Sequence, residues 1–167
     1  MRPLTDKDLD RNRHLFMFDD ETVMDLVRAV RDEDAQDWWH LVVDLEEGGY
    51  AVARVSDVTA ALNEQGEDLL GTRLAELVGV VLKPVETTVE MAGTDYRALR
   101  DEAYQTKSKV AVVLQDGAYR GIVTAGGSRS GGAFDAGLVA MAGQYAEIPE
   151  EGLLSPRRKK HKSKQKK

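Results

Sequence analysis

Residues 110–124 read VAVVLQDGAYRGIVT, and this stretch decides the fold. Val110 to Leu114 is an uninterrupted apolar run of strand length, which reads as a buried strand. Asp116-Gly117 is a dipeptide that turns a tight hairpin, because it accepts the positive φ angles such a turn requires. Tyr119 to Thr124 is then the returning strand. Working upstream, Thr94-Asp95 offers side-chain oxygens to cap a helix that carries Tyr96, Leu99 and Ala103 on one face.

The same order occurs earlier in the chain. Leu15 to Phe18 is a short apolar run, and Asp19-Asp20-Glu21 supplies acids suited to a helix N-terminus. Val23, Leu26, Val27 and Val30 follow at the spacing of a single helix face. Trp39 to Val43 reads as a buried strand, Glu46 to Gly49 as a turn, and Tyr50 to Val55 as a second strand. Asp57 opens a short helix with Val58, Ala61 and Leu62. The strands repeat at a spacing of 70 residues (Leu41 to Ala111, Val43 to Val113) and the helices at 73 (Leu26 to Leu99). Four elements in one order at nearly constant spacing indicate an internal repeat. Between the copies, Asn63 to Leu77 reads as a polar loop plus one more helix, with Thr72 as cap for Leu74 to Leu77. Val78 to Val85 contains Pro84 and reads as a connection or edge strand. After residue 124 comes a glycine-rich segment, Gly126 to Gly132, followed by an apolar stripe of Phe134, Leu138, Met141 and Tyr145.

The expected organisation is a lead-in over 1–14, a first repeat over 15–83, a second over 84–148 and a disordered basic tail over 149–167. The chain has 167 residues and no cysteine, which excludes a disulfide scaffold, a thiolate zinc site and a cysteine nucleophile. No apolar run reaches membrane-spanning length and the first residues lack a signal-type apolar core, so a cytoplasmic protein is expected. The net charge of −6 conceals a division: Arg157 to Lys167 holds eight Lys/Arg and no acid, leaving 15 basic against 29 acidic residues, a net of −14, in the body. The tail has the charge to contact nucleic acid or an acidic surface. It equally reads as a solvated end.

The Gly-Ile-Val-Thr ending of residues 121–124, with the blurred earlier copy in Leu41 to Asp44 and Tyr50 to Leu62, resembles a tandem pair of cystathionine-beta-synthase-type (CBS) domains, or Bateman module, in divergent form. The resemblance covers roughly Leu15 to Tyr145 and implies an α/β (α+β) fold of two βαββα-like repeats related by a pseudo-two-fold. It also implies a homodimer, and an adenosine-type ligand such as an adenine nucleotide or S-adenosylmethionine held between the repeats. The family motif is Gly-x-x-Thr/Ser-x-x-Asp, in which the hydroxyl meets phosphate and the carboxylate accepts from the ribose. Here each repeat carries part of it. The first has Ala51, Arg54 and Asp57; the second has Gly121, Thr124 and Gly127.

The candidate ligand residues are therefore Asp57, Arg54, Thr124, Gly121 and Ile122. Asp57 reads either as ribose acceptor or as helix cap, and Arg54 either as a bidentate phosphate ligand or as a solvated strand residue. Gly126, Gly127, Ser128 and Arg129 form a candidate anion loop through backbone N–H groups, or else a hinge. Asp135 is a further substitute for the missing carboxylate. No catalytic constellation is present. His14, His40 and His161 are far apart, and neither a P-loop nor a nucleophile elbow occurs. Of Trp38 and Trp39, one ring is expected in the core and the other partly covered. The expectation is a non-catalytic regulatory module that senses a ligand and relays it to a protein partner. The alternatives are a structural interaction protein whose ligand site has decayed, and a nucleic-acid-associated factor acting through the tail.

Overall fold

The computed structural model describes residues 1–10 and 13–125. The glycine-rich segment, the stripe from Phe134 to Tyr145 and the basic tail lie outside the described residues. In chain order the regular elements are β1 (His14–Phe18), α1 (Val23–Glu33), β2 (His40–Asp44), β3 (Tyr50–Arg54), α2 (Val55–Gln65), β4 (Lys83–Pro84), β5 (Thr87–Glu90), α3 (Tyr96–Gln105), β6 (Val110–Gln115) and β7 (Ala118–Thr124). Short 3-10 turns occupy Asp6–Asp8, Gly66–Leu69 and Leu74–Leu77. The fold is mixed α/β, with one sheet ordered β1-β2-β3-β4 and a second ordered β5-β6-β7.

The repeat extends to the register of the strands. β1 runs parallel to β2, as β5 does to β6, and each second strand turns back antiparallel into the third. Leu41 faces Ala53 and Val42 faces Val52 in the first sheet; 70 residues on, Ala111 faces Val123 and Val112 faces Ile122. By the same register Arg54, opposite His40, corresponds to Thr124, opposite Val110. The hairpins close differently. Gly48 and Gly49 turn the first at φ of 112° and 85°, whereas Asp116 and Gly117 turn the second at 56° and 81°, and a bulge between Val113 and Leu114 absorbs the extra residue.

Alternate side chains on the central strands enter different cores, which is why these strands read as continuous apolar runs. Leu41, Val43, Ala51 and Ala53 pack beneath α1 and α2; Ala111, Val113 and Val123 pack beneath α3. Val42, Val52, Val110, Val112 and Ile122 form a third core between the two sheets. Phe16, Tyr50 and Tyr119 pack at its edge, with the Phe16 and Tyr119 rings stacked at 4.2 Å.

Several expectations change in detail. The Asp19–Glu21 acids do not open α1. Thr22 does, in a capping box with Asp25 (Asp25 N to Thr22 Oγ1, 3.2 Å; Thr22 N to Asp25 Oδ2, 3.0 Å). Asp19 and Glu21 instead accept from the backbone N–H groups of Glu46 and Phe18, closing the strand ends. Thr72 caps nothing with its side chain; its carbonyl accepts from Val23 N, and the following 3-10 turn starts after Arg73. Val55 belongs to α2 rather than to β3, so Asp57 is the third helical residue. β5, Thr87-Thr-Val-Glu90, carries too little apolar pattern to be read as a strand and is made by pairing with β6. Trp38 and Trp39 are both half-buried, the first beneath the Arg13 guanidinium and the second against the α1–α2 core.

The first ten residues pack against the second sheet and α3. Leu4 and Leu9 are buried with Leu99 and Val123, Asp10 N donates to Ile122 O at 2.8 Å, and Arg120 grips Asp6 through two bonds of 3.0 and 2.7 Å. This mirrors β4. The segment leading into β5 pairs on β3, Lys83 opposite Val52, and the segment leading into β1 bridges β7, Asp10 opposite Ile122. Each sheet is thus flanked by the chain that leads into the other.

Candidate functional site

A cleft of about 290 Å³ opens where the two sheets meet, lined by His40, Val52, Ala53, Arg54 and Asp57 on one side. Lys83, Lys107, Ser108, Lys109, Thr124 and Ala125 complete its wall. Three of the residues expected from the sequence meet there: Arg54 at the end of β3, Asp57 in the first turn of α2 and Thr124 at the end of β7. Gly121 and Ile122 lie elsewhere. Gly121 is buried within β7 opposite Val113, and Ile122 is fully buried in the core between the sheets. Gly126, Gly127, Ser128, Arg129 and Asp135 are outside the described residues.

Local chemistry fixes the side chains on the first-sheet wall. Arg54 is the residue before α2, and its backbone N–H donates to Asp57 Oδ2 at 3.0 Å, so Asp57 satisfies a helix-end donor while facing the cleft. The Arg54 guanidinium donates to the Trp38 carbonyl at 3.0 Å, which holds the cation in place. His40 is buried beside it. Burial, then the positive charge of Arg54 and that of His14, push its pKa down to about 4, so at neutral pH its ring presents polar atoms without charge.

The opposite wall is the loop joining α3 to β6. Lys107 N donates to Glu86 Oε1 at 2.8 Å, and the buried Ser108 hydroxyl donates to Val110 O at 3.3 Å. Lys109 adopts a left-handed φ of 59°, held by a bond from its N–H to Thr106 Oγ1 at 3.0 Å. Its ammonium donates to Tyr104 O at 2.6 Å and lies 4.5 Å over the Tyr104 ring. Among the described residues the cleft therefore gathers Arg54, Lys83, Lys107 and Lys109 against one carboxylate, Asp57. The three lysines and His40 escaped the motif-based reading. The available signal was the placement of Lys107 and Lys109 immediately before an apolar strand in an otherwise acidic body. Among the described residues no group of three or more His, Asp or Glu is arranged to hold a metal ion, and no helix is long and apolar enough to cross a membrane.

No family model and no curated protein matches the chain. Solved structures do. The CBS domain of a bacterial CNNM/CorC family Mg2+ transporter in complex with ATP is 22% identical, with a TM-score of 0.53 over 73% of this chain and 81% of that one. The same transporter domain in another structure is 23% identical, with a TM-score of 0.54 over 73% of this chain and 70% of that one. A hexameric CBS-CP12 protein from bloom-forming cyanobacteria is 17% identical, with a TM-score of 0.54 over 74% of this chain and 65% of that one. The strand register, the paired sheets and these likenesses agree: the chain has the fold of a CBS-domain protein, in a divergent form.

Proposed function

We propose that the chain is a regulatory module in which the cleft between the sheets receives an adenosine-type ligand. The observation that supports this reading is the convergence of Arg54, Asp57 and Thr124, drawn from both sheets, on one cleft. Arg54 supplies a phosphate-binding guanidinium, Thr124 a hydroxyl and Asp57 an acceptor for ribose hydroxyls. The complex of the transporter CBS domain with ATP lends the same direction. A ligand touching both sheets shifts their relative arrangement to the extent that it binds one arrangement more tightly, and a partner surface reads that shift. The outer face of α3 suits such a surface, since it buries only Leu99 and Ala103 and leaves Tyr104 59% exposed. A homodimer in the cytoplasm completes the proposal.

Calorimetry and thermal-shift measurements over ATP, ADP, AMP and S-adenosylmethionine test it, with light scattering for the oligomer. At least one adenosine compound is expected to bind, and Arg54→Ala and Thr124→Ala are each expected to weaken it. Absence of binding by all of them sinks the proposal.

A further inference from the structure

We propose that the cleft recognises polyphosphate by charge, with Lys83, Lys107 and Lys109 as its specificity-determining residues; this rests on the reading of the cleft as a ligand site. The body of the chain, net −14, has 15 basic residues, and among the described residues four of them meet here around a single carboxylate. Such segregation of charge in a concave surface concentrates anions. The cations come from separate elements: Arg54 ends β3, Lys83 lies in β4, and Lys107 and Lys109 lie between α3 and β6.

Lys109 carries a second sign of selection for position. A lysine in the left-handed region is uncommon, and strained backbone of this kind tends to persist where the side chain has a use. Its ammonium rests on Tyr104, bonded to the carbonyl and over the ring, and a phosphate in the cleft would compete for it with that one bond.

The groups that would recognise a nucleoside are sparse by comparison. None of the residues described as lining the cleft is a Phe, Tyr or Trp that could stack a base. Phe16, Tyr50 and Tyr119 are packed instead at the core between the sheets. Among the described residues lining the cleft Asp57 is the only ribose acceptor of carboxylate type, and it already takes the Arg54 N–H. The ligand class is therefore a di-, tri- or longer phosphate. Nucleoside triphosphates and inorganic polyphosphate share this chemistry, and titration separates the two sources.

The experiment is calorimetric titration of the full chain with ATP, AMP, adenosine, S-adenosylmethionine and sodium tripolyphosphate at matched ionic strength. ATP and tripolyphosphate are expected to bind within about tenfold of each other, AMP about tenfold or more weaker, and adenosine and the cationic sulfonium below detection. The K83Q/K107Q/K109Q variant is expected to lose about tenfold or more for ATP, with a shallower salt dependence and an unchanged melting profile. All three side chains are exposed, and the single variants Lys83→Gln and Lys107→Gln replace the triple one if it misfolds. AMP or adenosine matching ATP, tripolyphosphate failing where ATP binds, or lysine variants that bind ATP as the parent does would each overturn the inference while leaving an adenosine site standing. If nothing binds, both readings fall.

Discussion

Replacing Asp57 by Asn and by Ala perturbs a cap and a charge in different proportions. Its Oδ2 accepts from Arg54 N at 3.0 Å, a bond that satisfies a donor at the start of α2. Ala removes the acceptor and is expected to cost about 1 kcal/mol, a fall of roughly 2–4 °C in Tm for a chain of this size. Asn retains an oxygen at the same place and is expected to stay within a few tenths of a kcal/mol of the parent.

The effect on binding differs between the two ligands. A carboxylate about 6 Å from a phosphate charge repels it by about 0.7–2.8 kcal/mol for effective dielectric constants between 80 and 20. Asp57→Asn should therefore tighten tripolyphosphate by about 3- to 100-fold. With ATP the same substitution also weakens hydrogen bonds from the ribose to a charged acceptor, about 1.5–3 kcal/mol, so ATP gains less than tripolyphosphate or loses affinity. Urea melts and parallel titrations of both variants supply the measurements. Weaker tripolyphosphate binding in the Asn variant refutes the placement of the anion beside Asp57. An Asn variant as unstable as the Ala variant refutes the capping argument.

Further outcomes follow from the core and the loop. His40 has its pKa lowered from an ordinary 6.5 to about 4, so the unfolded chain binds the extra proton between those values. Stability should hold above about pH 6.5 and fall as pH drops toward 4, by roughly 3 kcal/mol in total, and urea melts of His40→Leu should show a flatter profile in that window. Leu4 is buried with Leu99 and Val123, so Leu4→Ala should cost about 2–4 kcal/mol in chemical denaturation. A change below about 0.5 kcal/mol would return the first ten residues to a dispensable lead-in. Lys109→Gly removes a left-handed lysine at φ 59° and should raise stability by about 0.5–1 kcal/mol in the same assay while weakening ATP, a trade expected of a position held for binding.

What the sequence made legible is what local pattern determines. The strands 110–115 and 118–124 and the α3 cap at Asp95 follow from apolar runs, a turn dipeptide and a short acidic side chain. The equivalence of Arg54 and Thr124 also follows, because the register depends on a spacing of 70 residues that counting reveals. Non-local pairing was not legible. Thr87-Thr-Val-Glu90 becomes a strand only beside β6, and Leu4 and Leu9 become core only where the second sheet lies. The lysines of the cleft belong to no motif. Residues 83 and 107–109 are far apart in the chain, and folding alone brings them with Thr124 around one cleft.

The exchange of leading segments gives the cleft its mechanical setting. Lys83 is paired to β3 of the first sheet, yet the chain continues within four residues into Thr87 at the start of β5. Asp10 is paired to β7 and the chain continues into β1. The sheets are therefore tied at two crossings as well as through a core of interdigitated Val42, Val52, Val112 and Ile122. Close-packed interfaces of this kind do not deform continuously, so a change in the angle between sheets requires repacking between discrete arrangements. A ligand that engages Arg54 and Lys83 on one sheet and Thr124 on the other has contacts whose strength depends on which arrangement is present. That dependence is the condition for a shift of population. A ligand held by residues of one sheet alone would bind equally in both arrangements and report nothing. On the proposed reading, the division of the motif between the repeats, a loss by the standard of a site contained in one repeat, is the arrangement that would make occupancy sensitive to the angle between them.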